Sequence, residues 1–381
     1  MTTGRATSTL ETCPQPFVVG FFCGQWARVS SPIGGPTEVP GFEWMRPEAT
    51  DDKEVRFPDS VATNQKVGSS TLSGRTILSV VLVVFLLVVI SGSWRGLAAQ
   101  TCGAHGVAVQ VLGSGGPELA DKRAMTSYVI WKDGRARILI DAGGGSALRF
   151  GESGARMADL DAILFSHFHV DHSGDFSALI KSSWFGDRNR ALPVYGPEGN
   201  DFMPSSTEFV ADFFSDKGVY RYLSELYEPA EDGAYKIQPH NVAGTDKPAL
   251  QFKTPDFTAT SVRVIHGGFP SLAWRIDIGG KSIVFSGDTN GAGGLVDLAA
   301  NADLFIAHNA VPEGVTGVER NLHMPPSVIG QIAGDARAKH LVLSHRMLRT
   351  LGKEAATTAE IRKRYAGPLD FANDLDCYPV N

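Results

Sequence analysis

The pattern of apolar and polar positions changes character twice along this chain. Residues 1–70 scatter Pro, Gly, Ser and Thr without a sustained period, as in "MTTGRATSTLETCPQPF", which predicts little packed structure. Ile77 to Ile90 is an apolar run interrupted only by Ser79. From Val107 onward, short apolar runs bounded by Gly or Asp predict strands: "VAVQVLG", "TSYVIW", "ARILID", "DAILFSH", "FTATSVRVIH", "LAWRIDI", "KSIVFSGD", "DLFIAHNA" and, as the last, "KHLVLSHR". Helical spacing is expected at "GDFSALI", "TEFVADFF", "AGGLVDLAANA", "PPSVIGQIAGDARA" and, closing the chain, "KEAATTAEIRKRYA". Strands dominate the first half and alternate with helices in the second, which predicts an α/β protein of stacked sheets flanked by helices. Residues 183–248 are richer in loops.

The segment 71–99 has the makings of a signal peptide. Arg75 precedes the apolar core, and small residues follow to Leu97-Ala98-Ala99. The core is shorter than the ~20 residues of a typical spanning helix. Cleavage after Ala99 would leave Gln100 at the new N-terminus. A signal peptide 70 residues in admits two readings. Translation could start at Met45 or Val67, or residues 77–90 could remain as a membrane anchor behind a cytoplasmic tail. Residues 100–381 are then the folded domain, expected outside the cytoplasm, in a periplasm. Of four cysteines, Cys102 and Cys377 lie in that part, one near each end. An oxidising compartment would pair them; the alternative is two free thiols.

Composition narrows the partners. The formal net charge is −6, with 43% hydrophobic and 20% charged residues. A binder of polyanions usually carries a basic stripe, so the expectation is a small-molecule substrate and no nucleic acid. Nothing in the sequence specifies an oligomeric state.

The candidate chemistry is concentrated in "SHFHVDHSGD", which places His167, His169, Asp171 and His172 within six residues directly after an apolar strand. Neutral imidazoles and carboxylates in such density suit a divalent metal such as zinc. Later strands also end on polar groups: "VRVIH" at His266, "IVFSGD" at Asp288, "LFIAH" at His308 and "LVLSH" at His345. Side-by-side strands would bring these ends to one rim.

"HFHVDH" resembles the signature of the metallo-β-lactamase superfamily, and the likeness runs from about Val107 to "LVLSH". The resemblance implies an αββα sandwich with a two-metal site at the edge of its two sheets. It implies one metal on His167, His169 and His266, a second on Asp171, His172 and His345, and Asp288 bridging them. Asp141, in "LIDAGGG", is similar to the family's early structural Asp. The expected cofactor is two zinc ions, with Mn or Fe as alternatives.

Within that family, class B β-lactamases have Cys where Asp288 stands, and the flavo-diiron branch has Glu where His169 stands. "LGSGGPELADKRAMTS", "YGPEG" and "LHMPPSV" resemble the RNase Z and arylsulfatase branch. Two departures stand out: His308-Asn309 replaces a His-Glu pair, and no long Gly/Pro-rich arm is present. The implied activity is hydrolysis of a small phosphodiester, sulfate ester or lactone, with Asp171 steering the attacking hydroxide and His323 protonating the leaving group. A non-hydrolytic dioxygenase or binding protein of the same fold is the alternative.

Overall fold

A computed structural model of the chain describes residues 102–227 and 235–381. The expected leader (1–70) and signal segment (71–99) lie outside the described residues, as does the apolar run 77–90. Among the described residues no helix is long and apolar enough to cross a membrane.

Two seven-stranded sheets face each other. The first carries β14 (Cys377–Val380), β1 (Val107–Gly113), β2 (Ser127–Lys132), β3 (Arg135–Ile140), β4 (Ala162–Leu164), β5 (Leu192–Pro197) and β6 (Ile237–Val242), in that spatial order. The second carries β13 (Leu369–Phe371), β12 (Leu341–Ser344), β11 (Leu304–His308), β10 (Lys281–Phe285), β9 (Phe269–Ile278), β8 (Phe257–His266) and β7 (Ala249–Lys253). Each sheet is antiparallel from β14 to β3, or from β7 to β10, and parallel thereafter. The parallel strands β4, β11 and β12 have both faces covered and are buried throughout. β11, Leu-Phe-Ile-Ala-His, is buried at every position.

The core has three layers, as an αββα sandwich requires. Val109, Ile130, Ile138, Trp274, Phe285 and Ile306 fill the space between the sheets. On one outer face, Phe165, Phe176, Leu179 and Phe209 pack helices Phe176–Ser183 and Ser206–Phe214 against the first sheet. On the other, Ile329, Ile332, Phe305 and Ile361 seat helices Pro326–Asp335 and Glu354–Ile361. Ser205 and Glu208 close a reciprocal capping box at the start of Ser206–Phe214.

The expected helix over "AGGLVDLAANA" is a single turn, Leu295–Leu298, because three glycines precede it. "KHLVLSHR" is not the last strand: β13 and β14 follow the closing helix. Cys102 and Cys377 are joined in a disulfide, with Cα atoms 5.7 Å apart. The bond clips β14, an edge strand, to the segment before β1. A staple across 275 residues of sequence restricts the unfolded chain strongly, so converting both cysteines to serine should cost about 3 kcal/mol. Thermal unfolding of the double variant against the wild type would measure this. An unchanged midpoint would mean that β14 is held by its strand pairing alone.

Candidate metal centre

The strand ends converge because three of them turn through left-handed backbone. Asp141 (φ 55°), Gly287 (φ 56°) and His345 (φ 52°) follow β3, β10 and β12. Such a turn redirects a side chain that would otherwise continue along the sheet. At Gly287 a Cβ would lie 2.8 Å from the Leu272 carbonyl oxygen and 3.0 Å from Ser166 Cβ, so only glycine fits before Asp288. For Asp141 and His345 the strained conformation costs on the order of 1–3 kcal/mol each, which the surrounding packing must offset.

Seven of the ten histidines meet at this rim. His167 Nε2 and His169 Nδ1 are 3.0 Å apart, and His266 Nε2 is 3.4 Å from that same His169 nitrogen. This first group is the expected trio. Beside it, His172 Nε2 lies 3.6 Å from Asp171 Oδ2, and His345 Nε2 lies 3.2 Å from it. Asp288 stands between the groups: Oδ1 is 3.3 Å from His345 Nε2, while Oδ2 is 3.6 Å from His172 Nε2 and 3.7 Å from His266 Nε2. All seven expected ligands are therefore in one cluster, and all but His169, which is partly exposed, are buried.

The outer contacts fix which nitrogen each ring offers. Asp141 accepts from the Ser166 backbone N–H at 2.7 Å and from Ser166 Oγ at 2.8 Å, and its Oδ2 is 2.8 Å from His172 Nδ1. Ser166 Oγ is 3.1 Å from His167 Nδ1. His266 Nδ1 donates to the Leu322 carbonyl at 2.9 Å. In all three histidines Nδ1 is engaged by the protein and Nε2 faces inward, the arrangement that orients a metal-bound imidazole. His172 Nε2 is buried with no hydrogen-bond partner. An orphaned buried imidazole nitrogen beside two carboxylates fits a divalent ion, and the residues present fit two.

The electrostatics follow from the same geometry. Burial works against a charged His345, yet the Asp288 and Asp171 carboxylates outweigh it and raise the group to about 9. Burial likewise opposes ionised Asp171, but the imidazoles of His172 and His345 hold its carboxyl at about 2. Burial keeps His323 neutral down to about 3 and His308 down to about 4.

His308 was visible in the sequence only as a strand-end residue. Its Nδ1 is 2.8 Å from Asp288 Oδ1 and its Nε2 is 3.1 Å from the Tyr128 hydroxyl. Both ring nitrogens are engaged, so His308 orients the central carboxylate. His323 ends the short helix Gly317–Leu322, with Nδ1 buried, unpartnered and 3.9 Å from Asp288 Oδ2.

Residues 121–329, more than half of the chain, match the metallo-beta-lactamase superfamily. The chain belongs to that superfamily. The ribonuclease Z of Mycolicibacterium paratuberculosis is 26% identical over 285 residues, covering 71% of this chain and 96% of its own. Among solved structures, the metallo-beta-lactamase fold protein YhfI from Bacillus subtilis superposes with a TM-score of 0.55 at 23% identity, covering 71% and 99% of the two chains. The short form of human tRNase Z does so at 0.55 and 20% identity, covering 72% and 99%. The chain is a metallo-β-lactamase-fold hydrolase acting on ester bonds. One expectation is overturned. Relatives named ribonuclease Z act on a nucleic acid, so the acidic net charge did not justify setting nucleic acid aside. Net charge averages the whole surface, whereas a phosphate needs positive charge only where it reacts.

Proposed function

We propose that this chain is a two-metal phosphodiesterase whose substrates include nucleic-acid phosphodiesters. The observation that carries the reading is Asp288, a carboxylate within 3.3–3.7 Å of imidazoles from both histidine groups, in a chain that covers almost the full length of ribonuclease Z relatives. His167, His169 and His266 would hold one ion, and Asp171, His172 and His345 the other, with Asp288 shared. Two divalent ions held there, zinc by the donor set, would supply a water acidified toward neutral pH and charge to offset the negative transition state.

The chain's own residues do the rest. Asp141, Ser166 and Leu322 keep Nε2 of His172, His167 and His266 turned inward. His308 fixes Asp288, and Asp171 accepts the proton-bearing side of the attacking water. His323 stands beside Asp288 with a free Nδ1 and is the group we assign to protonate the leaving oxygen.

The test is elemental analysis of metal-replete protein together with turnover of bis(4-nitrophenyl) phosphate, a short RNA, an aryl sulfate, a lactone and a β-lactam. Two zinc ions per chain and phosphodiester cleavage, under anaerobic conditions as well as in air, are expected. Turnover confined to the lactone or the β-lactam, or dependence on oxygen, would overturn the reading.

We further propose that the domain is exported. The signal-like segment 71–99 and the Cys102–Cys377 disulfide support this. N-terminal sequencing of the protein from its native cells should begin near Gln100; a soluble cytoplasmic chain retaining residues 1–99 would defeat the proposal.

A further inference from the structure

Near the first histidine group the rim carries an aromatic side chain that lies mostly in solvent. Phe202 is 72% exposed, yet its backbone is tied down. The Asn200 side chain donates to the Gly268 carbonyl at 2.8 Å and accepts from the backbone N–H groups of Phe202 and Met203 at 2.9 and 3.1 Å. A further bond joins the Asn200 N–H to the Met203 carbonyl at 2.9 Å. One asparagine thus ties the Phe202 loop to the β8–β9 turn. That turn is Gly267-Gly268, and the Phe202 ring lies beside it, 3.7 Å from where a Cβ on Gly268 would stand. The Phe202 and Phe269 rings are 6.4 Å apart, and Phe269 meets His169 edge-on at 4.4 Å. The two phenylalanines form a step leading from solvent to the metal-binding imidazoles.

An exposed phenylalanine loses nothing on a mobile loop, so a clip that fixes its backbone beside the rim has another use. A pre-positioned ring offers a π-face at little entropic cost. The hollow of about 390 Å³ next to it is lined by Asn200, Asp201, Met203, Glu208 and Asp212 as well as Phe202. Its three carboxylates disfavour a second phosphate there, and the exposed face of Phe202 is what an uncharged ring would meet.

We propose that Phe202 and Phe269 are specificity-determining residues that receive a planar aromatic substituent of the phosphate ester, a nucleobase or an aryl ring, while the phosphate reaches the histidine cluster. The proposal rests on the phosphodiesterase reading for the phosphate's position, and it is tested by binding as well as by turnover.

Calorimetric titrations of the full-length, metal-loaded protein with methyl phosphate, phenyl phosphate and adenosine 5′-monophosphate measure the step directly. Wild type should bind one or both aromatic ligands roughly 10-fold more tightly than methyl phosphate, the scale of one ring stacked on an aromatic side chain. Phe202→Ala and Phe269→Ala should collapse that ratio, with methyl phosphate changed far less, and Phe202→Tyr should restore it. A preference for adenosine 5′-monophosphate over phenyl phosphate identifies the nucleobase as the occupant; equal binding identifies any flat ring. Equal affinity for all three ligands in wild type, or an aromatic preference that survives both alanine variants, would overturn the proposal. If the preference is present but no phosphodiester is cleaved, the step stands and the reaction assignment falls. Because Phe202 is exposed, its alanine variant should unfold at the wild-type temperature, which separates lost stacking from lost structure.

Discussion

Replacing Asp288 with Asn is expected to lower kcat/KM on any phosphodiester by roughly 10³-fold or more, the factor that several kcal/mol of lost charge stabilisation represents. The substitution keeps the size of the side chain and removes one negative charge. That charge faces His345 and His308 through Oδ1, and His172, His266 and His323 through Oδ2, at 2.8–3.9 Å. Among the described residues no other carboxylate lies within 4 Å of imidazoles from both histidine groups. Asp171 reaches only His172 and His345. Without Asp288, two cations a few Å apart would lose the charge between them, and their repulsion grows as the local dielectric falls. The variant should therefore retain fewer than two ions per chain on elemental analysis. Its thermal midpoint should move far less than its activity, since Asp288 supports no part of the apolar core between the sheets. Asp288→Asn protein that keeps both ions and more than a tenth of the wild-type activity would show that the carboxylate is not shared.

What the sequence disclosed, and what it hid, follows from how far apart interacting residues lie along the chain. "ILFSH", "VRVIH", "LFIAH" and "LVLSH" each announce a buried strand with a polar end, because an apolar run of strand length stops on a histidine. The three-dimensional consequence, a shared rim, was legible as soon as the strands were placed side by side. β13 and β14 were not legible. Leu369–Phe371 is only three residues long and half-exposed, and Cys377–Val380 contains a proline. They become strands only by pairing with β12 and β1, and no local pattern encodes that partner. His308 was noticed at its strand end without a role, because its role is a contact to Asp288, twenty residues earlier, and to Tyr128 on the other sheet. Phe202 was indistinguishable from the core phenylalanines around it; only exposure sets it apart. The two left-handed residues, Asp141 and His345, carried no signal either, since neither is a glycine and the strain is imposed by the fold.

Substituting His323 with Ala should damage substrates with poor leaving groups most. A nitrophenolate departs as a stable anion and needs little help, whereas an alkoxide needs a proton as the bond breaks. General-acid assistance is typically worth about 10²–10⁴-fold, so a loss of that size is expected on an alkyl phosphodiester and a loss of less than about tenfold on its nitrophenyl counterpart. The geometry sets a condition on this role. Burial holds the imidazole neutral down to about 3, against the pull of Asp288, and a neutral ring is a weak acid. An anionic phosphodiester entering beside Nδ1 adds negative charge at short range in a dry pocket, which favours the protonated ring. The proton-donating state is therefore expected only in the substrate complex, so kcat should fall as pH rises through the raised value of that complex, an alkaline limb that kcat/KM does not share. Three measurements separate the possible roles of this residue: leaving-group dependence, metal content and the pH profile of kcat. Equal losses on both substrates with both metals retained would make His323 a positioning residue. Loss of one metal would make it a ligand, which its place with His266 and Asp288 around a common point permits. A loss concentrated on the alkyl ester, with metal content unchanged, would leave proton donation as the role that fits all three.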